Sequence, residues 1–434
     1  MDSFMIAQDL HISFSAQGAT TELDSIVATN LTTKESVTIP GNETLTLHSV
    51  TTGINTLYDG SDIHVFPNPY RSYTNVNIQN SDLQKVTVTL FDLSGTSINL
   101  FEQTLSKGTH VLKVSAKMPG IYILSIETSS GISSKKIVQT VSGENRIEYL
   151  TMSSSKTILK SEKADYVLNY LSGNVLSYNL MRGDMSTVVN ETPTISRTIN
   201  ATLVECKDID GNNYPVVKIG DQIWMAENLV TTRYADGTQI PIEKRNYIWK
   251  LIESNNTEKY YCFVNNDWNG EKDIYGALYT FGAAVNGIPQ ADSSDVVQGV
   301  CPNGWHLPSK YEWNILGDYL IANGYNYDNT TIGNKIGKSL AASSERWSLN
   351  TLAGTIGNDV GHNNRSGFSG LPAGQRNPST GQFLRIGTNT YFWTSTEYDS
   401  TGAASCSLGS ITTGLTHYYS GEKSFGFSVR CVKD

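Results

Sequence analysis

Two short stretches of the chain are dense in side-chain oxygens that could hold a cation. In residues 265–273 the candidate ligands are Asp267, Asn269 and Asp273, and a second stretch covers residues 208–212. Calcium binds about six to eight oxygen ligands, many of them from carboxylates and amides. Asn, Asp and Gly also favour solvated turns because they suit the backbone geometry of turns. We expect turns at both places, with calcium binding as the alternative.

Other patterns that resemble catalytic or nucleotide-binding motifs are incomplete. Residues 333–339 imitate a phosphate-binding loop, but only three residues separate the glycines and no strand precedes them. His306, His362 and His417 could meet in space, and we expect them to be structural. The motifs GxGxxG, GxSxG and HExxH do not occur. We therefore expect no cofactor other than calcium and no catalytic residues.

A set of aromatic and polar residues late in the chain suits ligand contacts. Tyrosine offers a large contact area at a low entropy cost, which fits sugar stacking as well as protein binding. We predict ligand-binding roles for Arg376, Asn377, Glu397, Tyr398, His417, Tyr418 and Tyr419. The tryptophans Trp305, Trp313 and Trp393 are expected in the core instead.

Charge and hydropathy exclude several partners. The 434 residues carry a net charge of -9, and no long run of Lys or Arg occurs, so we expect neither nucleic acid nor an anionic bilayer as a partner. No apolar run approaches the roughly 18 residues of a membrane-spanning helix. Charged residues are 17% of the chain, and Tyr, Gly, Asn, Ser and Thr are abundant, as in extracellular β-rich proteins. Residues 1–8 are expected to be an expression or signal remnant.

All five cysteines lie in the second half of the chain. No pair has CxxC spacing, which argues against a zinc ribbon or a thioredoxin-like site. The odd number leaves at least one thiol without an intramolecular partner. We predict a disulfide between Cys301 and Cys431, and the alternative is that all are buried free thiols.

The first half of the chain has the alternation and turn spacing of β-strands. Residues 9–60 contain four short alternating runs, and residues 61–142 contain six or seven strand signals that predict a small immunoglobulin-like β-sandwich. Residues 143–204 continue with further strand signals and form a small β module or linker. One hypothesis is that 9–60 and 143–204 pair in a single sandwich into which the middle segment is inserted.

From Cys206 the sequence becomes rich in Gly, Trp and Asn, which indicates an α+β domain with long loops over residues 205–434. Ser309 is placed to cap a helix that would carry Tyr311, Trp313, Leu316 and Leu320 on one side. A second helix is predicted to start within residues 275–281. The chain is therefore expected to be multidomain, with all-β modules followed by an α+β domain.

Eight ordered motifs in residues 205–434 closely resemble the Fibrobacter succinogenes major paralogous domain, a family of secreted and surface proteins. They are DGNNY (210–214), VKIG (217–220), IWMAENL (223–229), YGALY (275–279), CPNGWHLPS (301–309), GFSGLP (367–372), WTST (393–396) and VRCVKD (429–434). Family membership brings no established catalytic residues.

Residues 61–142 resemble the carboxy-terminal sorting module of the Bacteroidetes type nine secretion system. The similarity rests on FPNP (66–69), LFDLSG (90–95) and PGIYIL (119–124). In that family the module ends the chain and serves as an export signal. Here about three hundred residues follow it, so we expect a spacer, with an export signal as the alternative.

The motif around Cys301–Trp313 and the GFSVR ending (426–430) are also similar to formylglycine-generating enzymes and C-type lectin-like folds. This similarity implies a C-type lectin-like domain that binds ligands through its long loops. It also invites a calcium-dependent sugar site, although the usual EPN or QPD tripeptide is absent. The enzymes use reactive cysteines, for which Cys406 would be the candidate.

Together these observations lead to one expectation and two alternatives. We expect a non-catalytic adhesion or binding protein at the outer cell surface or outside the cell, with β modules as a stalk and a lectin-like ligand head. Its partner would be a surface glycan or a protein. The alternatives are a calcium-dependent lectin and a structural subunit of surface fibres.

Overall fold

A computed structural model describes residues 9–49, 63–66, 68, 70, 73–80, 83–106, 108–128, 131–152, 166–252, 257–290 and 295–434. The chain divides into two compact units. The main unit contains Met1–Thr51 and Ala164–Asp434, and the inserted unit contains Thr52–Lys163. The predicted remnant at residues 1–8 lies outside the described residues.

The N-terminal part of the main unit is a β-sandwich. Its strands are β1 (Leu10–Gly18), β2 (Ser25–Asn30), β3 (Ser36–Pro40) and β4 (Leu45–Ser49), with β13 (Tyr166–Tyr170), β14 (Leu176–Arg182), β15 (Met185–Glu191) and β16 (Arg197–Leu203). One sheet has the order β13-β4-β1-β16, and β2, β3, β14 and β15 belong to the other. Alternate residues of β2 and β14 are buried, so each strand turns one face to the shared core.

Two parallel strand pairings join the segment before the inserted unit to the segment after it. Strand β1 runs parallel to β16, with Ile12 opposite Arg197 and Gly18 opposite Leu203. Strand β4 runs parallel to β13. On the solvent side the β1 and β16 side chains also pair, as in the 2.7 Å hydrogen bond between the hydroxyls of Ser13 and Thr198. Strands from both expected segments, 9–60 and 143–204, therefore share the same two sheets.

The inserted unit is a second sandwich, made of two four-stranded sheets. Its strands are β5 (Ile63–Phe66), β6 (Thr74–Asn80), β7 (Gln84–Phe91), β8 (Ser97–Leu105), β9 (Gly108–Ser115), β10 (Gly120–Thr128), β11 (Gly131–Gln139) and β12 (Arg146–Met152). The sheet orders are β11-β10-β7-β8 and β12-β9-β6-β5. Because β12 pairs with β9, the expected boundary at 142/143 is too early and this strand belongs to the inserted unit.

The C-terminal region, residues 205–434, continues a sheet of the sandwich. Its further strands are β17 (Val216–Ile219), β18 (Gln222–Met225), β19 (Tyr261–Phe263), β20 (Ala277–Tyr279), β21 (Trp305–His306), β22 (Gln375–Arg376), β23 (Phe383–Leu384), β24 (Asn389–Glu397), β25 (Gly402–Gly409), β26 (Thr416–Glu422) and β27 (Val432–Lys433). An eight-stranded sheet runs in the order β21-β27-β18-β17-β15-β14-β2-β3. The junction is a parallel pairing of β15 with β17 at Thr187–Val216 and Val188–Val217.

The helices of the C-terminal region are short except for one. They are α1 (Asn246–Leu251), α2 (Glu271–Tyr275), α3 (Phe281–Ala284), α4 (Lys310–Ala322) and α5 (Gly337–Leu340), with 3-10 turns at Val264–Asn266 and Val360–His362. The helix predicted to start within residues 275–281 begins only at Phe281, because Ala277–Tyr279 pairs with β19 as a strand. The region thus combines small helices with antiparallel strands.

Helix α4 begins with a reciprocal cap. Ser309 accepts a hydrogen bond from the Glu312 N–H, and the Glu312 carboxylate accepts one from the Ser309 N–H. Trp313, Leu316 and Leu320 are buried, as their spacing predicts. The expectation for Tyr311 was wrong, since it is 44% exposed. It lies two positions before Trp313, a spacing that turns a helical side chain away from the buried stripe.

The core beneath α4 is aromatic. Trp313 contacts Trp224, Phe368 and Phe392, with ring centroids 4.9, 5.6 and 5.4 Å away. Trp305, Trp313 and Trp393 are all buried, which confirms that they belong to the core.

A disulfide joins the loop before α4 to the residue that precedes β27. Cys301 and Cys431 are both fully buried, and their bond spans 130 residues of sequence. Cys206, Cys262 and Cys406 are buried free thiols.

Candidate functional site

Of the residues predicted to bind ligand, Arg376 serves the fold. Its side chain is fully buried and stacks on Trp249, with the guanidinium carbon 4.3 Å from the ring centroid. The guanidinium donates hydrogen bonds to the main-chain oxygens of Gly381, Glu243 and Lys244. An arginine that is enclosed in this way holds loops together and is not presented to a ligand.

Three other predicted ligand residues, Asn377, Glu397 and Tyr398, have different surroundings. Asn377 accepts hydrogen bonds from the N–H and hydroxyl of Thr380 within a turn. Glu397 forms an ion pair with Lys423. Tyr398 is 65% exposed, which leaves it available for contacts.

His417 is half-buried, and its Nδ1 lies 3.4 Å from the Cys406 sulfur. Burial lowers the pKa of His417 below its usual value, with a smaller opposing effect of Asp318. The side chains of Tyr418 and Tyr419 lie outside the described residues. Cys406 itself is fully buried, and burial raises the pKa of its thiol. This environment opposes the reactive thiolate that an oxidase would need.

The predicted calcium ligands mainly build a turn. Asp267 Oδ1 accepts hydrogen bonds from the main-chain N–H groups of Asn269 and Gly270 just before α2. Asp273 lies within α2 and is exposed. No group of three or more His, Cys, Asp or Glu residues suited to a metal ion occurs in the part of the chain that the structure describes. The geometry of residues 265–273 thus matches the polar turn that we expected there.

The loop at 333–339 does not form a phosphate cradle. The N–H of Gly337 donates to the Thr413 carbonyl, and the Lys338 ammonium donates to main-chain oxygens of Asn358 and Asp359. The Gly337 N–H and two of the three ammonium hydrogens of Lys338 are therefore taken by main-chain oxygens.

His306 bridges two carboxylates instead of joining the other histidines. Its Nε2 lies 2.7 Å from Glu312 Oε1, and its Nδ1 lies 2.7 Å from Asp434 Oδ1. Burial by itself lowers the pKa of His306, but the hydrogen bonds to Glu312 and Asp434 outweigh it and the pKa is raised above 6.5. Burial likewise opposes ionisation of Glu312, yet His306 and Ser309 hold its pKa below 4.5.

These shifts predict a pH-dependent contribution to stability. The raised pKa of His306 means that its contribution is fully present below pH 6.5 and is lost as the pH rises through the folded pKa. The lowered pKa of Glu312 means that its contribution is present above pH 4.5 and is lost as the pH falls through the folded pKa. We expect His306→Gln to lower the free energy of unfolding by about 1.5–3 kcal/mol at pH 5–6 and by less at pH 8.

Urea unfolding of both proteins across this pH range measures the difference. His48→Gln is the matched control, because His48 pairs with Asp9 in an exposed position and should contribute little at any pH. A constant difference between the His306 variant and the unaltered protein at pH 5 and pH 8 would contradict the prediction.

A polar cleft of about 610 Å³ lies within the main unit, between the sandwich and the C-terminal region. The sandwich contributes one wall through β14 and the residues after β2. Asparagine is the commonest residue type in the lining, with five positions. The polar lining residues are Ser177, Asn179, Asn212, Asn213, Tyr214, Glu227, Asn228, Lys272, Asp273, Ser343, Asn364, Ser369 and Arg430.

Glu227 is the carboxylate best placed in this cleft. It follows β18 by two positions and is exposed to the cleft solvent. No described residue donates a hydrogen bond to its carboxylate. The surrounding protein nevertheless removes much of its hydration, which raises the pKa of Glu227, and the guanidinium of Arg430 partly offsets this rise. A carboxylate without a bound partner is an available hydrogen-bond acceptor.

Arg430 and Asn228 form the rigid floor of the cleft. The buried guanidinium of Arg430 donates to Asn228 Oδ1 at 2.7 Å and to main-chain oxygens of Met225, Phe368 and Ser369. Asn228 in turn donates to the Tyr275 carbonyl at 2.9 Å. Because these groups hold one another, the backbone that carries Glu227 is fixed on both sides.

An exposed aromatic ring lies next to one of the residues that line the cleft. Trp268 is 45% exposed, and the Nζ of Lys272, a cleft residue, lies 5.3 Å from the centroid of its indole ring. Phe263 packs against this ring at nearly a right angle, with ring centroids 4.8 Å apart. Such a ring offers a flat apolar surface beside the polar lining.

A family model described as the Fibrobacter succinogenes major domain matches residues 217–433, half of the chain. The chain belongs to this family. The family domain contains Glu227, Asn228, Lys272 and Arg430 of the cleft, whereas Asn179 and Ser177 come from the sandwich that precedes it. The cleft is therefore composite.

A second family model, the secretion system C-terminal sorting domain, matches residues 64–140. This match covers most of the described inserted unit and points to secretion and to an outer-surface or extracellular location. No curated protein matches the chain. Among the described helices, none is long and apolar enough to cross a membrane.

Glu227 lies in the family motif IWMAENL (223–229), but the sequence did not predict a site there. The signal in the sequence was a charged residue shortly after a predicted strand. In the structure its neighbours Ala226 and Asn228 are both buried. A lone Glu after a strand is a weak signal, because the second wall of the cleft comes from residues far away in the chain.

Proposed function

We propose that this protein is a secreted or surface-exposed, non-catalytic binding protein whose cleft recognises a glycan. The observation that carries the proposal is the cleft of about 610 Å³ with its amide-rich lining and the unpaired carboxylate of Glu227. Ligand sites commonly enclose about 300–1,000 Å³, so the cleft has room for a short oligosaccharide.

The chemistry of the lining favours sugar hydroxyls. A sugar hydroxyl both donates and accepts hydrogen bonds, and an amide side chain offers one acceptor and two donor hydrogens. Asn179 and Asn364 lie in the lining. Asn179 Oδ1 accepts from the Ser186 hydroxyl and the Asn364 amide bonds Ser369 at both ends, so the second amide hydrogen of Asn364 and the amide hydrogens of Asn179 are the donors left for a ligand. Glu227 adds an acceptor for charge-assisted hydrogen bonds, which are stronger than neutral ones. Trp268 provides a face on which a sugar ring could stack.

The proposed architecture is a C-type lectin-like domain over residues 205–434 that is supported by the β modules. The capped helix α4, the Cys301–Cys431 disulfide and the pairing of β21 with β27 support this assignment. Because β15 pairs with β17, the proposed ligand head includes the sandwich, and the inserted unit remains as the spacer. Adhesion to a glycan-bearing surface is the biological role that follows.

A glycan array identifies the ligand, and a single substitution then tests the cleft. We expect Glu227→Gln to weaken binding of the best glycan by about tenfold, or about 1.4 kcal/mol, because a neutral amide forms weaker hydrogen bonds than a carboxylate. Glu345→Gln is the matched control, since Glu345 is exposed and does not line the cleft. Equal affinities for the two variants, or the absence of any bound glycan, would argue against the proposal.

Two additions to this experiment separate the alternatives. A chelator arm on the array tests the calcium-dependent lectin, which requires that signals vanish when calcium is removed. Sedimentation at increasing protein concentration tests the structural fibre subunit, which requires self-association. For the proposed cleft, we expect glycan binding to persist in the presence of chelator and not to require self-association.

A further inference from the structure

A second, smaller pocket of the main unit has an unusual charge pattern. It encloses about 300 Å³ and is lined by Gly173, Val175, Thr192, Tyr327, Asn329, Lys338, Ser339, His362 and Arg365. The lining contains Lys, Arg and His but no Asp or Glu. The chain as a whole has a net charge of -9. The charged residues that line this pocket are all basic, so the pocket has the opposite sign of charge.

Lys338 reaches this pocket from helix α5 and is 9% exposed. Its Nζ donates hydrogen bonds to the main-chain oxygens of Asn358 and Asp359. An ammonium group has three hydrogens to donate, so these contacts leave donor capacity for a further acceptor. Burial lowers the pKa of Lys338 to about 8, against the opposing effect of the Asp359 carboxylate.

Arg365 adds a second cation without a carboxylate partner among the described residues. Its Nη1 donates to Asn329 Oδ1 at 2.9 Å, and its guanidinium carbon lies 5.5 Å from the centroid of the Tyr325 ring. Burial lowers the pKa of Arg365, and its one opposing effect comes from Tyr325. The planar guanidinium is therefore positioned by a neutral amide and an aromatic ring, and its charge is left uncompensated.

The third basic group of the lining is more exposed than Lys338. His362 is 42% exposed, and its Nδ1 lies 2.8 Å from Asp359 Oδ2. Asp359 is itself 60% exposed and does not line the pocket. The hydroxyl groups of Thr192 and Tyr327 complete the polar lining.

We propose that this pocket binds an oxyanion, the carboxylate or sulfate group of an acidic ligand, between Lys338 and Arg365. A guanidinium pairs with carboxylate, sulfate or phosphate oxygens through two parallel hydrogen bonds, and an ammonium adds a point charge. Partly dehydrated cations gain more from such a partner than exposed ones do. None of Lys338, His362 and Arg365 lines the larger cleft, so the pocket is a separate site.

Calorimetric titration of the full chain tests the proposal with defined probes. Sodium sulfate, sodium phosphate, sodium glucuronate and glucose are titrated at constant ionic strength that is set with sodium chloride. We expect saturable binding of at least one oxyanion and none of glucose. Tighter binding of glucuronate than of sulfate and phosphate would identify a sugar acid as the ligand, and the reverse order would identify an inorganic or ester oxyanion.

Substitutions locate the binding. Arg365→Gln should lower the affinity for the oxyanion by at least tenfold. Arg365→Lys should retain more of the affinity because it keeps the positive charge. Arg385→Gln is the matched control, since Arg385 is exposed and outside the pocket. Tryptophan fluorescence checks that each variant is folded. No saturable binding of any oxyanion, or equal affinity in the Arg365→Gln and Arg385→Gln variants, would overturn the proposal.

Discussion

The double substitution Cys301→Ala and Cys431→Ala is expected to lower the free energy of unfolding of the main unit by about 2–5 kcal/mol. The bond closes a loop of 130 residues, and a long loop loses much conformational entropy in the unfolded chain when its ends are joined. The bond also ties the loop before α4 to the residue next to strand β27, and β27 pairs with β18 and β21. Its loss therefore loosens both the helix and the edge of the eight-stranded sheet.

Urea unfolding followed by tryptophan fluorescence measures this effect. All seven tryptophans lie between positions 224 and 393, so fluorescence follows the C-terminal region alone. A reductant should shift the unfolding midpoint of the unaltered protein toward that of the double variant and should leave the variant itself unchanged. Coincident unfolding curves for the oxidised protein and the double variant would contradict the prediction.

Trp313→Ala is expected to lower the free energy of unfolding by about 3–5 kcal/mol. Trp313 is fully buried and contacts Trp224, Phe368 and Phe392, so truncation leaves a cavity at the centre of the aromatic core. These contacts join α4 to strands β18 and β24, and their loss weakens several elements at once. The same urea experiment reports the change, because the other tryptophans remain.

Trp313→Phe is the matched control for this prediction. No described residue accepts a hydrogen bond from Trp313 Nε1, so replacing the indole with a phenyl ring removes a buried donor without an acceptor. The phenyl ring also keeps much of the aromatic contact. We expect Trp313→Phe to lower the free energy of unfolding by about 1 kcal/mol, as for core substitutions that conserve shape. A cost for Trp313→Phe as large as that for Trp313→Ala would show that the indole edge, and not the buried volume, matters.

Local signals in the sequence were sufficient to predict where helix α4 starts and that the first half of the chain forms strands. Ser309 predicts the start of α4, because a capping side chain needs only a main-chain N–H of the turn that follows it. The reciprocal bond from Glu312 was not predicted. The alternating runs of the first half predict strands because the two faces of a sheet alternate along the chain. Such signals predict that a strand exists but do not specify its partner.

The pairing of β15 with β17 was therefore beyond prediction, and with it the composite cleft. Only two residue pairs make this parallel junction, and nothing in the strand Val216–Ile219 indicates which edge it will join. Glu227 was missed for the same reason, since it becomes a cleft residue only when the sandwich supplies the opposite wall.

Arg376 illustrates the opposite error. A charged residue among loop residues suggests a binding surface, but its guanidinium serves three main-chain oxygens instead. Irregular loops leave many carbonyl groups without strand partners, and a buried arginine is one way to satisfy them. Distinguishing the two roles from sequence requires the positions of those carbonyls, which only the folded loops define.

The parallel pairing of β1 with β16 has a consequence for the time at which the protein folds. Partners in this pairing are 185 residues apart, and at synthesis rates of about 5–20 residues per second the first strand waits about 10–40 s for the last one. The strands of the inserted unit all lie between Ile63 and Met152, so that unit can close its sheets within this interval. Until β16 has been made, the edge of β1 that will pair with it is open to pairing with other strands.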